Sequence, residues 1–241
     1  MAALLEVDRI SKSFSGLRAV QDVSFEVPEG EIVALIGPNG AGKTTCFNVI
    51  AGVYKSDSGE VRLGGTRISG WRADQICRAG VARTFQLVKP FAGLTVTENV
   101  VVGALNASAS VDEARQKASD VIARLGLGAK RDHMAASLTL PERKRLEVAR
   151  ALATKPRILL LDEVMAGLRP TEMDHMVAFF RELNTTLGLT ILLVEHVMRA
   201  VMALSKRIVV LHHGQVIASG PPEAVTRDPA VLECYLGEEA V

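Results

Sequence analysis

The residues with the clearest chemistry lie in one glycine-rich segment, residues 37–45. It reads Gly-Pro-Asn-Gly-Ala-Gly-Lys-Thr-Thr and follows an apolar run at residues 32–36. Glycines let backbone N–H groups turn inward around phosphate oxygens, and the N-terminus of a following helix adds its positive end. In this pattern the lysine reaches the β- and γ-phosphates, and the first threonine can bind Mg²⁺. The sequence therefore predicts a phosphate-binding loop with these nucleotide-binding residues: Gly37, Pro38, Asn39, Gly40, Ala41, Gly42, Lys43, Thr44 and Thr45.

Two adjacent carboxylates, Asp162 and Glu163, follow a second apolar run at residues 158–161. In open α/β sheets, ligands bind beyond the carboxyl ends of the strands. Asp162 can therefore orient the Mg²⁺ shell, while Glu163 polarises a water for attack on the γ-phosphate. The alternative is a solvated acidic turn after a strand, which the presence of a phosphate loop disfavours.

The elements that must hold these residues alternate between strand and helix patterns. Alternating apolar positions over residues 1–36 predict a β-rich start that leads into one buried strand. Residues 95–126 look helical, with Thr95 and Glu98 as a capping box. The other predicted elements are a helix at 43–51, a hairpin around Gly64 and Gly65, a strand at 81–85, a helix at 141–153, strands at 158–161 and 190–194 with a helix from Thr171 between them, and a closing hairpin around Gly214. Such alternation is typical of an α/β layer with parallel strands.

Composition and charge limit the classes of protein that fit the chain. Lys and Arg number 28 against 27 Asp and Glu, a net charge of +1, so electrostatic capture of nucleic acid or of an anionic membrane is not expected. The three cysteines, Cys46, Cys77 and Cys234, lack paired spacing, which argues against a disulfide framework or a zinc site and favours a reducing compartment. The N-terminus does not look like a secretory signal, and the longest apolar runs are far shorter than the roughly 18 residues of a membrane span. We expect any membrane role to be peripheral.

Three further segments narrow the class. Residues 84–86, Thr-Phe-Gln, follow a predicted strand, residues 137–152 read SLTLPERKRLEVARAL before the acidic strand, and Glu195 with His196 follows the next strand. With these segments the sequence resembles the ATP-binding-cassette (ABC) ATPases along nearly its whole length. Kinases and GTPases share the phosphate loop and the acidic pair but leave Gln86 and His196 unexplained. The other alternative is a nucleotide-binding regulator without catalysis, against which Glu163 and His196 argue.

The resemblance implies an α/β fold. In particular it implies a P-loop NTPase, namely an ABC-type nucleotide-binding domain with a RecA-like core, an antiparallel β subdomain and an α-helical subdomain. We expect a single ABC ATPase domain over residues 1–241, with the core and its N-terminal β layer at approximately 1–90 and 155–241. The helical subdomain, which includes the signature segment, is expected at approximately 91–154.

The resemblance also implies catalytic roles. The implied catalytic residues are Lys43, Gln86, Glu163 and His196, with Glu163 as the expected base and His196 as the expected switch histidine at the γ-phosphate. The implied cofactors are ATP and Mg²⁺, and the implied ligands of the metal are Thr44, Gln86 and Asp162. Taken singly, Gln86 could instead be an ordinary surface glutamine, and His196 could be a histidine at a strand end with no catalytic role.

Two further nucleotide-binding residues come from the same resemblance. Phe14 corresponds to the aromatic residue that stacks on adenine, although ordinary packing is the alternative. Thr139 lies in the signature segment, which in the family faces the γ-phosphate held by a second subunit. Asp162 completes this set of cofactor-binding residues.

A finer resemblance points to the ATPase subunits of branched-chain amino-acid importers. The segments that carry it are residues 81–86, 165–168 with 170–172, 193–196 with Met198, and 235–238. It implies a subunit that couples formation and hydrolysis of an ATP sandwich to a separate membrane permease. The implied solute is a branched-chain amino acid or a related amino acid or amide.

The implied partners are integral membrane permease subunits at the cytoplasmic face of the inner membrane, with a periplasmic or extracellular solute-binding protein taking part indirectly. We expect the permease to dock in a groove between the core and the helical insert near residues 86–91. The apolar residues offered there are Val88, Pro90, Phe91, Leu94 and Val96, for which local core packing is the alternative. The alternative function is a soluble ABC clamp that acts on ribosomes or nucleic acid, against which the single phosphate loop and the net charge of +1 argue.

The signature segment departs from the family pattern. Where most members have Leu-Ser-Gly-Gly-Gln, residues 138–142 read Leu-Thr-Leu-Pro-Glu. Pro141 is tolerated in the first turn of a helix but removes one backbone donor. Two like charges about 4 Å apart repel by roughly 4 kcal/mol at an effective dielectric near 20, so Glu142 must turn away, be protonated or weaken a phosphate site. Arg143, Lys144 and Arg145 are candidates for compensating its charge.

The segment after the catalytic glutamate departs as well. Residues 166–169 read Ala-Gly-Leu-Arg where most members have Ser-Ala-Leu-Asp, so Arg169 replaces the aspartate that usually bridges to the partner subunit. A homodimer would place the altered signature in both nucleotide sites. We therefore favour pairing with a second, different ABC ATPase subunit, with a homodimer as the alternative.

Overall fold

The structure is a computed structural model that describes residues 2–86 and 89–236, the last of them by its backbone alone. Val88, from the expected permease contact, lies outside these residues. The same holds for Gly237 and Glu238, which belong to the importer-type ending.

Ten strands and nine α-helices are found in this described part of the chain. The strands are β1 (Ala3–Phe14), β2 (Leu17–Pro28), β3 (Ile32–Ile36), β4 (Ser58–Leu63), β5 (Thr66–Arg67), β6 (Val81–Arg83), β7 (Ile158–Asp162), β8 (Thr190–Val194), β9 (Arg207–His212) and β10 (Gln215–Gly220). The helices are α1 (Lys43–Ile50), α2 (Ala73–Ala79), α3 (Val96–Ala104), α4 (Val111–Arg124), α5 (Leu140–Ala153), α6 (Pro170–Leu187), α7 (Met198–Leu204), α8 (Pro222–Val225) and α9 (Pro229–Leu236).

The N-terminal strands form an antiparallel sheet in the order β2-β1-β4-β5. Val23, Phe25 and Val27 of β2 are buried, whereas Ser24 and Glu26 between them are exposed. This alternation arises because an antiparallel sheet commonly buries one face and leaves the other in water. The predicted β-rich start is confirmed.

A second sheet has the order β10-β9-β3-β8-β7-β6. Its strands are parallel except for β10, which is antiparallel to β9. Every residue of β3, β7 and β8 is buried, as expected for parallel strands covered on both faces. Because β3, β8 and β7 are neighbours, the segments that follow them leave the sheet at one edge.

Two large hydrophobic clusters cover the two faces of the parallel sheet, and a smaller third cluster contains Ala34 of β3 and Val210 of β9. The first contains Phe47 of α1 together with the inner face of the antiparallel sheet, and the second contains Leu146 of α5 and Phe180 of α6. Successive residues of β7 enter different clusters, since Leu160 belongs to the first and Leu159 to the second. The sheet is therefore fixed between two cores.

The region that looked helical in the sequence consists of two α-helices, α3 and α4. Thr95 and Glu98 form the predicted capping box at the start of α3, and Ser110 caps α4. Gly103 of α3 lies so close to α5 that a Cβ atom there would be 2.4 Å from the carbonyl oxygen of Arg150. Close contact between α3 and α5 therefore depends on this glycine.

The predicted fold class is confirmed: the protein is α/β, with a parallel core sheet, an antiparallel sheet and a helical part. The strand predicted at 81–85 is shorter, because pairing ends at Arg83. Val96 is fully buried in the core of the helical part, so it does not supply the permease contact surface expected of it. No helix in the described residues is both long and apolar enough to cross a membrane.

Candidate nucleotide-binding site

The phosphate loop follows β3 directly. Gly37 and Gly42 have φ values of 148° and 101°, which side chains disfavour. A Cβ atom on Gly37 would lie 2.0 Å from the carbonyl oxygen of Leu211, and one on Gly42 would lie 2.4 Å from that of Ala19. The loop is thus packed between β9 and β2, and only glycine fits at both positions.

Lys43 begins α1 and lies inside this loop. Its side chain is buried, and Nζ donates hydrogen bonds to the carbonyl oxygens of Gly37 (2.7 Å) and Pro38 (2.8 Å). None of the described side chains caps the N-terminus of α1. Helix N-terminal N–H groups and a lysine ammonium inside a glycine loop are the donors that a phosphate chain needs.

A cleft of about 520 Å³ lies over the loop. The predicted residues that line it are Asn39, Gly40, Ala41, Gly42, Lys43, Thr44, Thr45, Gln86 and Glu163. Residues from two other segments complete the wall: Leu17, Arg18, Ala19 and Gln21 from β2, and His213 from the turn between β9 and β10. Sequence reasoning missed Arg18 and His213.

The β9–β10 turn is bonded to the phosphate loop. The N–H of Gly214 donates to the carbonyl oxygen of Ala41 (3.0 Å), and the N–H of Gln21 donates to that of Gly214 (2.7 Å). His213 has a φ of 47°, unusual for a residue with a side chain. Only a turn signal at Gly214 was visible in the sequence, and it does not indicate which loop the turn packs against.

Gln86 and Glu163 meet across the cleft. Gln86 Nε2 donates a hydrogen bond to Glu163 Oε2 over 2.8 Å. Glu163 itself has a φ of 49°, in the left-handed region that is unfavourable for a residue with a Cβ atom. Two candidate catalytic residues that are separated by 77 positions in the chain are thus in direct contact.

Asp162 is buried at the end of β7. Its Oδ2 atom lies 3.3 Å from Arg83 Nη2, and its backbone N–H donates to Thr84 Oγ1 over 3.1 Å. Its Oδ1 atom is buried without a hydrogen-bond partner among the described residues. Burial raises the pKa of Asp162, while the Arg83 guanidinium opposes that rise.

Six predicted residues do not line the cleft: Gly37 and Pro38 at the start of the loop, Asp162 buried at the end of β7, and Phe14, Thr139 and His196. The last three are accessible side chains. Phe14 is 38% exposed, so it is not core packing, and its ring meets that of Tyr54 edge to face at 5.1 Å. His196 is exposed beyond the end of β8, and Thr139 is exposed at the start of α5. In the single chain these three side chains are accessible but separate from the cleft wall.

Glu142 turns back onto the start of its own helix. Its Oε2 atom accepts hydrogen bonds from the N–H (2.8 Å) and Oγ1 (3.0 Å) of Thr139. These bonds lower the pKa of Glu142, with help from Lys130 and Arg145. The charged carboxylate is therefore held at the N-terminus of α5, where the helix dipole favours it.

Pro141 lies in the first turn of α5, as predicted. Of the three basic residues considered as compensation, Arg145 is the one that acts on Glu142. Arg143 donates instead to the carbonyl oxygen of Leu138, and Lys144 is buried beneath Glu163. Arg169 is exposed as the residue before α6.

The loop, the acidic pair and the parallel sheet define a nucleotide-hydrolysing protein of the P-loop class. The family model described as ABC transporter matches residues 20–166. A second model, described as branched-chain amino acid ATP-binding cassette transporter, matches residues 215–241. The chain belongs to the ABC transporter family and is an ABC ATPase that binds adenine nucleotide.

Individual relatives agree with this family over almost the whole chain. The chain is 42% identical to the high-affinity branched-chain amino acid transport ATP-binding protein LivG of Salmonella typhimurium and 40% identical to BraF of Pseudomonas aeruginosa, with 98% of both chains covered in each case. It is 34% identical to the lipopolysaccharide export system ATP-binding protein LptB of Acidithiobacillus ferridurans, over 99% of both chains. The ADP conformation of an ATP-binding cassette of an ABC transporter is 31% identical, with a TM-score of 0.89 over 98% of this chain and 100% of that one. The resemblance to the branched-chain amino-acid subfamily is confirmed, and transport is favoured over action on nucleic acid.

Proposed function

We propose that this ATPase is the energy-coupling subunit of an importer for branched-chain amino acids or a related amino acid or amide. The observation that carries the proposal is the cleft in which the phosphate loop, Gln86 and Glu163 meet. Identities of 40–42% to branched-chain amino acid transport proteins over 98% of both chains support the solute class. The 34% identity to a lipopolysaccharide export protein is lower, which favours import of a small solute over lipid export.

In this function the chain's own residues bind and orient the nucleotide. Residues 37–45 surround the phosphates with N–H donors, and Lys43 supplies a positive charge to the β- and γ-phosphates. Glu163 accepts a proton from the attacking water, and Gln86, bonded to Glu163, orients that carboxylate. His196 contacts the γ-phosphate and Phe14 stacks on adenine once the nucleotide and a second subunit complete the site.

The donor set fits a magnesium ion. Asp162 Oδ1 is a buried carboxylate oxygen without a partner in the described residues, and Mg²⁺ prefers such hard oxygen ligands. Thr44 and Gln86 supply a hydroxyl and an amide oxygen beside the same loop. A bound Mg²⁺ would neutralise charge on the phosphates. It would also offset the burial that raises the pKa of Asp162.

We propose that the permease docks in a second groove, of about 280 Å³. The groove lies between the core and the helices, with Phe85, Val102 and Arg150 in its wall. Phe85 is 56% exposed and Phe91 is 46% exposed, and each ring lies under a guanidinium, from Arg83 at 4.7 Å and from Arg150 at 4.5 Å. Exposed aromatic rings beside fixed cations suit a partner helix with apolar and acidic residues.

This groove is linked to the nucleotide cleft through the neighbouring residues Phe85 and Gln86. Glu147 lines it, and Glu147 Oε1 accepts the backbone N–H of Phe85 over 2.7 Å. Phe85 precedes Gln86, which is bonded to Glu163. A permease segment that moves Phe85 would therefore move Gln86, which supports coupling between the two sites.

The altered signature supports pairing with a different ATPase chain. In the proposed dimer, Thr139 and the start of α5 face the nucleotide of the second subunit. Here the donors of Thr139 are bonded to the charged carboxylate of Glu142. Two copies of this chain would place that carboxylate at both nucleotides, so a partner with a standard signature restores one strong site.

We further propose that the chain acts as one ABC ATPase domain, with a core at about 1–90 and 155–241 and a helical subdomain at about 91–154. It would associate with its permease at the cytoplasmic face of the inner membrane, and a solute-binding protein would deliver the solute from outside. The close contact of Gly103 with Arg150, both in the proposed helical subdomain, supports treating α3 and α5 as one unit.

The test is a gene deletion complemented with the wild-type chain or with Glu163→Gln. Uptake of radiolabelled leucine, isoleucine, valine and glutamine is measured in each strain. We expect deletion to abolish uptake of at least one of these solutes, and we expect only the wild-type chain to restore it. Unchanged uptake of all four solutes in the deletion strain would contradict the proposal.

A further inference from the structure

The carboxylate of Glu195 is buried at the end of β8, directly before His196. The residue is 1% exposed, and its Oε1 atom accepts the backbone N–H of Met165 over 2.8 Å. Its Oε2 atom is buried without a hydrogen-bond partner among the described residues. Burial raises the pKa of Glu195 to about 7. A buried carboxylate that is only half satisfied is costly and calls for a specific reason.

That reason lies in the turn that carries Glu163. A left-handed φ of 49° at a residue with a side chain is energetically unfavourable and persists only where the surroundings enforce it. The N–H of Glu163 donates to the carbonyl oxygen of Val194 over 2.9 Å. Together with the bond from Met165 to Glu195, this fastens the Glu163 turn to the strand end that carries His196.

A third contact reaches the same turn from α5. Lys144 is 4% exposed, and its Nζ donates to the carbonyl oxygen of Glu163 over 3.4 Å. Its positive charge also lies close enough to interact with Glu195. The backbone of Glu163 is therefore bonded through its N–H to the sheet and through its C=O to the helix that begins at the signature segment.

We propose that Glu195 and Lys144 are a pair of positioning residues that hold Glu163 in its strained conformation and link α5 to Glu163 and His196. On the sheet side, the acceptor oxygen of Glu195 holds the Glu163 turn through the N–H of Met165. On the helix side, the Lys144 ammonium holds it through the carbonyl oxygen of Glu163. This inference rests on the proposed roles of Glu163 and His196 in hydrolysis. Because neither positioning residue lines the cleft, their loss should reduce the hydrolysis rate and leave nucleotide affinity unchanged.

The experiment uses three variants of the full chain. Glu195→Leu keeps the volume and removes the acceptor, Glu195→Gln keeps an acceptor oxygen without the charge, and Lys144→Met keeps the aliphatic stem. Single-turnover hydrolysis of ATP with Mg²⁺ is measured with excess protein, and the Kd of the Mg²⁺–ATP complex is measured separately. We expect at least a tenfold slower rate for Glu195→Leu, or about 1.4 kcal/mol. Lys144→Met should be at least threefold slower, Glu195→Gln should lie within threefold of wild type, and every Kd should change less than twofold.

Asn184→Ala is the matched control for a purely structural loss. Its half-buried Nδ2 donates to the carbonyl oxygens of Gly30 (2.9 Å) and Leu189 (2.8 Å), outside the cleft lining. We expect this variant to lower the Tm and keep the hydrolysis rate. The inference would be overturned if Glu195→Leu hydrolysed ATP within twofold of the wild-type rate, or if the Glu195→Leu and Glu195→Gln variants lost rate equally. It would also be overturned if Asn184→Ala lost as much rate as Glu195→Leu at a comparable drop in Tm.

Two further measurements decide the cases in which a variant does not fold or the wild-type chain does not hydrolyse ATP. If Glu195→Leu does not fold, Lys144→Met and the hydrogen exchange of the Met165 amide in the wild-type chain take its place. The inference then requires a slow rate in Lys144→Met and strong protection of that amide, and it fails without either. A wild-type chain that binds but never hydrolyses ATP overturns the proposed function as well, whereas normal wild-type hydrolysis with active positioning variants overturns this inference alone.

Discussion

Gln86 donates a hydrogen bond of 2.8 Å to Glu163 in the nucleotide cleft. If Glu163 is the base, Glu163→Gln should slow hydrolysis by more than about 100-fold, because an amide cannot accept the proton. Nucleotide affinity should change less than threefold, since residues 37–45 supply the phosphate contacts. Single-turnover hydrolysis and a binding titration measure the two quantities.

The control for this prediction is Glu60→Gln, in the antiparallel sheet. Glu60 pairs with Arg62 at 2.7 Å and does not line the nucleotide cleft. The Glu60→Gln substitution should leave both the hydrolysis rate and the nucleotide affinity at their wild-type values. Wild-type hydrolysis in Glu163→Gln would show that another group takes the proton.

The hydrogen bonds of Glu142 lead to a prediction about how the stability of the fold depends on pH. Its folded-state pKa is below the usual value because its charged form accepts hydrogen bonds from Thr139. The charged form therefore stabilises the fold above the unfolded pKa of about 4.3, and this stabilisation is lost as the pH falls through the folded pKa. Glu142→Gln should be less stable than wild type at pH 7, and the difference should shrink below about pH 4.

Urea denaturation at pH 7 and at several pH values below 4 measures this difference. Glu223→Gln, a change in the exposed first turn of α8, is the control, and its stability should follow that of the wild type at each pH. A stability difference for Glu142→Gln that stays constant across the pH range would contradict the role of the charged carboxylate.

At the scale of the element, Gly103 determines how closely α3 approaches α5. A Cβ atom there would be 2.4 Å from the carbonyl oxygen of Arg150, which is too close for any side-chain carbon. Gly103→Ala should push the helices apart and cost on the order of 1–3 kcal/mol in unfolding free energy. Chemical denaturation measures this cost.

Gly128→Ala is the matched control for Gly103→Ala. A Cβ atom at Gly128 would meet nothing within 4 Å. The same substitution there should leave the stability unchanged or raise it by a few tenths of a kcal/mol, because it reduces the entropy of the unfolded chain. Equal effects of the two substitutions would show that the close approach of α3 and α5 does not depend on Gly103.

The same elements show how far sequence reasoning reaches. The phosphate loop, the buried runs of β3, β7 and β8 and the capping box of α3 were predictable, because each is written in a local pattern of glycine, apolar or capping residues. The contact made by Gly103 was not predictable, because an isolated glycine in a helical pattern does not indicate which residue of another helix it packs against. The place of His213 in the cleft wall was not predictable for a similar reason. It depends on packing of the β9–β10 turn against the phosphate loop at Ala41.

The whole molecule presents the phosphate loop and the signature segment as separate surfaces, which supports the proposal that a second subunit completes the nucleotide site. Thr139 does not line the cleft that contains Lys43. Its hydrogen-bond donors are occupied by Glu142 of the same helix. Two copies of the chain would therefore meet with a charged carboxylate near each γ-phosphate, and roughly 4 kcal/mol of repulsion at 4 Å opposes such a dimer.

This predicts the association state. In the Glu163→Gln background, which should retain bound ATP, the chain should stay monomeric with Mg²⁺ and ATP, as measured by size-exclusion chromatography with light scattering. Adding Pro141→Gly and Glu142→Gln restores a backbone donor and removes the negative charge, so the combined variant should form an ATP-dependent dimer. A Lys43→Ala version, weakened in phosphate binding, is the control and should remain monomeric. ATP-dependent dimerisation of the Glu163→Gln chain with its own signature would show instead that the chain pairs with itself, and that Glu142 moves away from the interface as it forms.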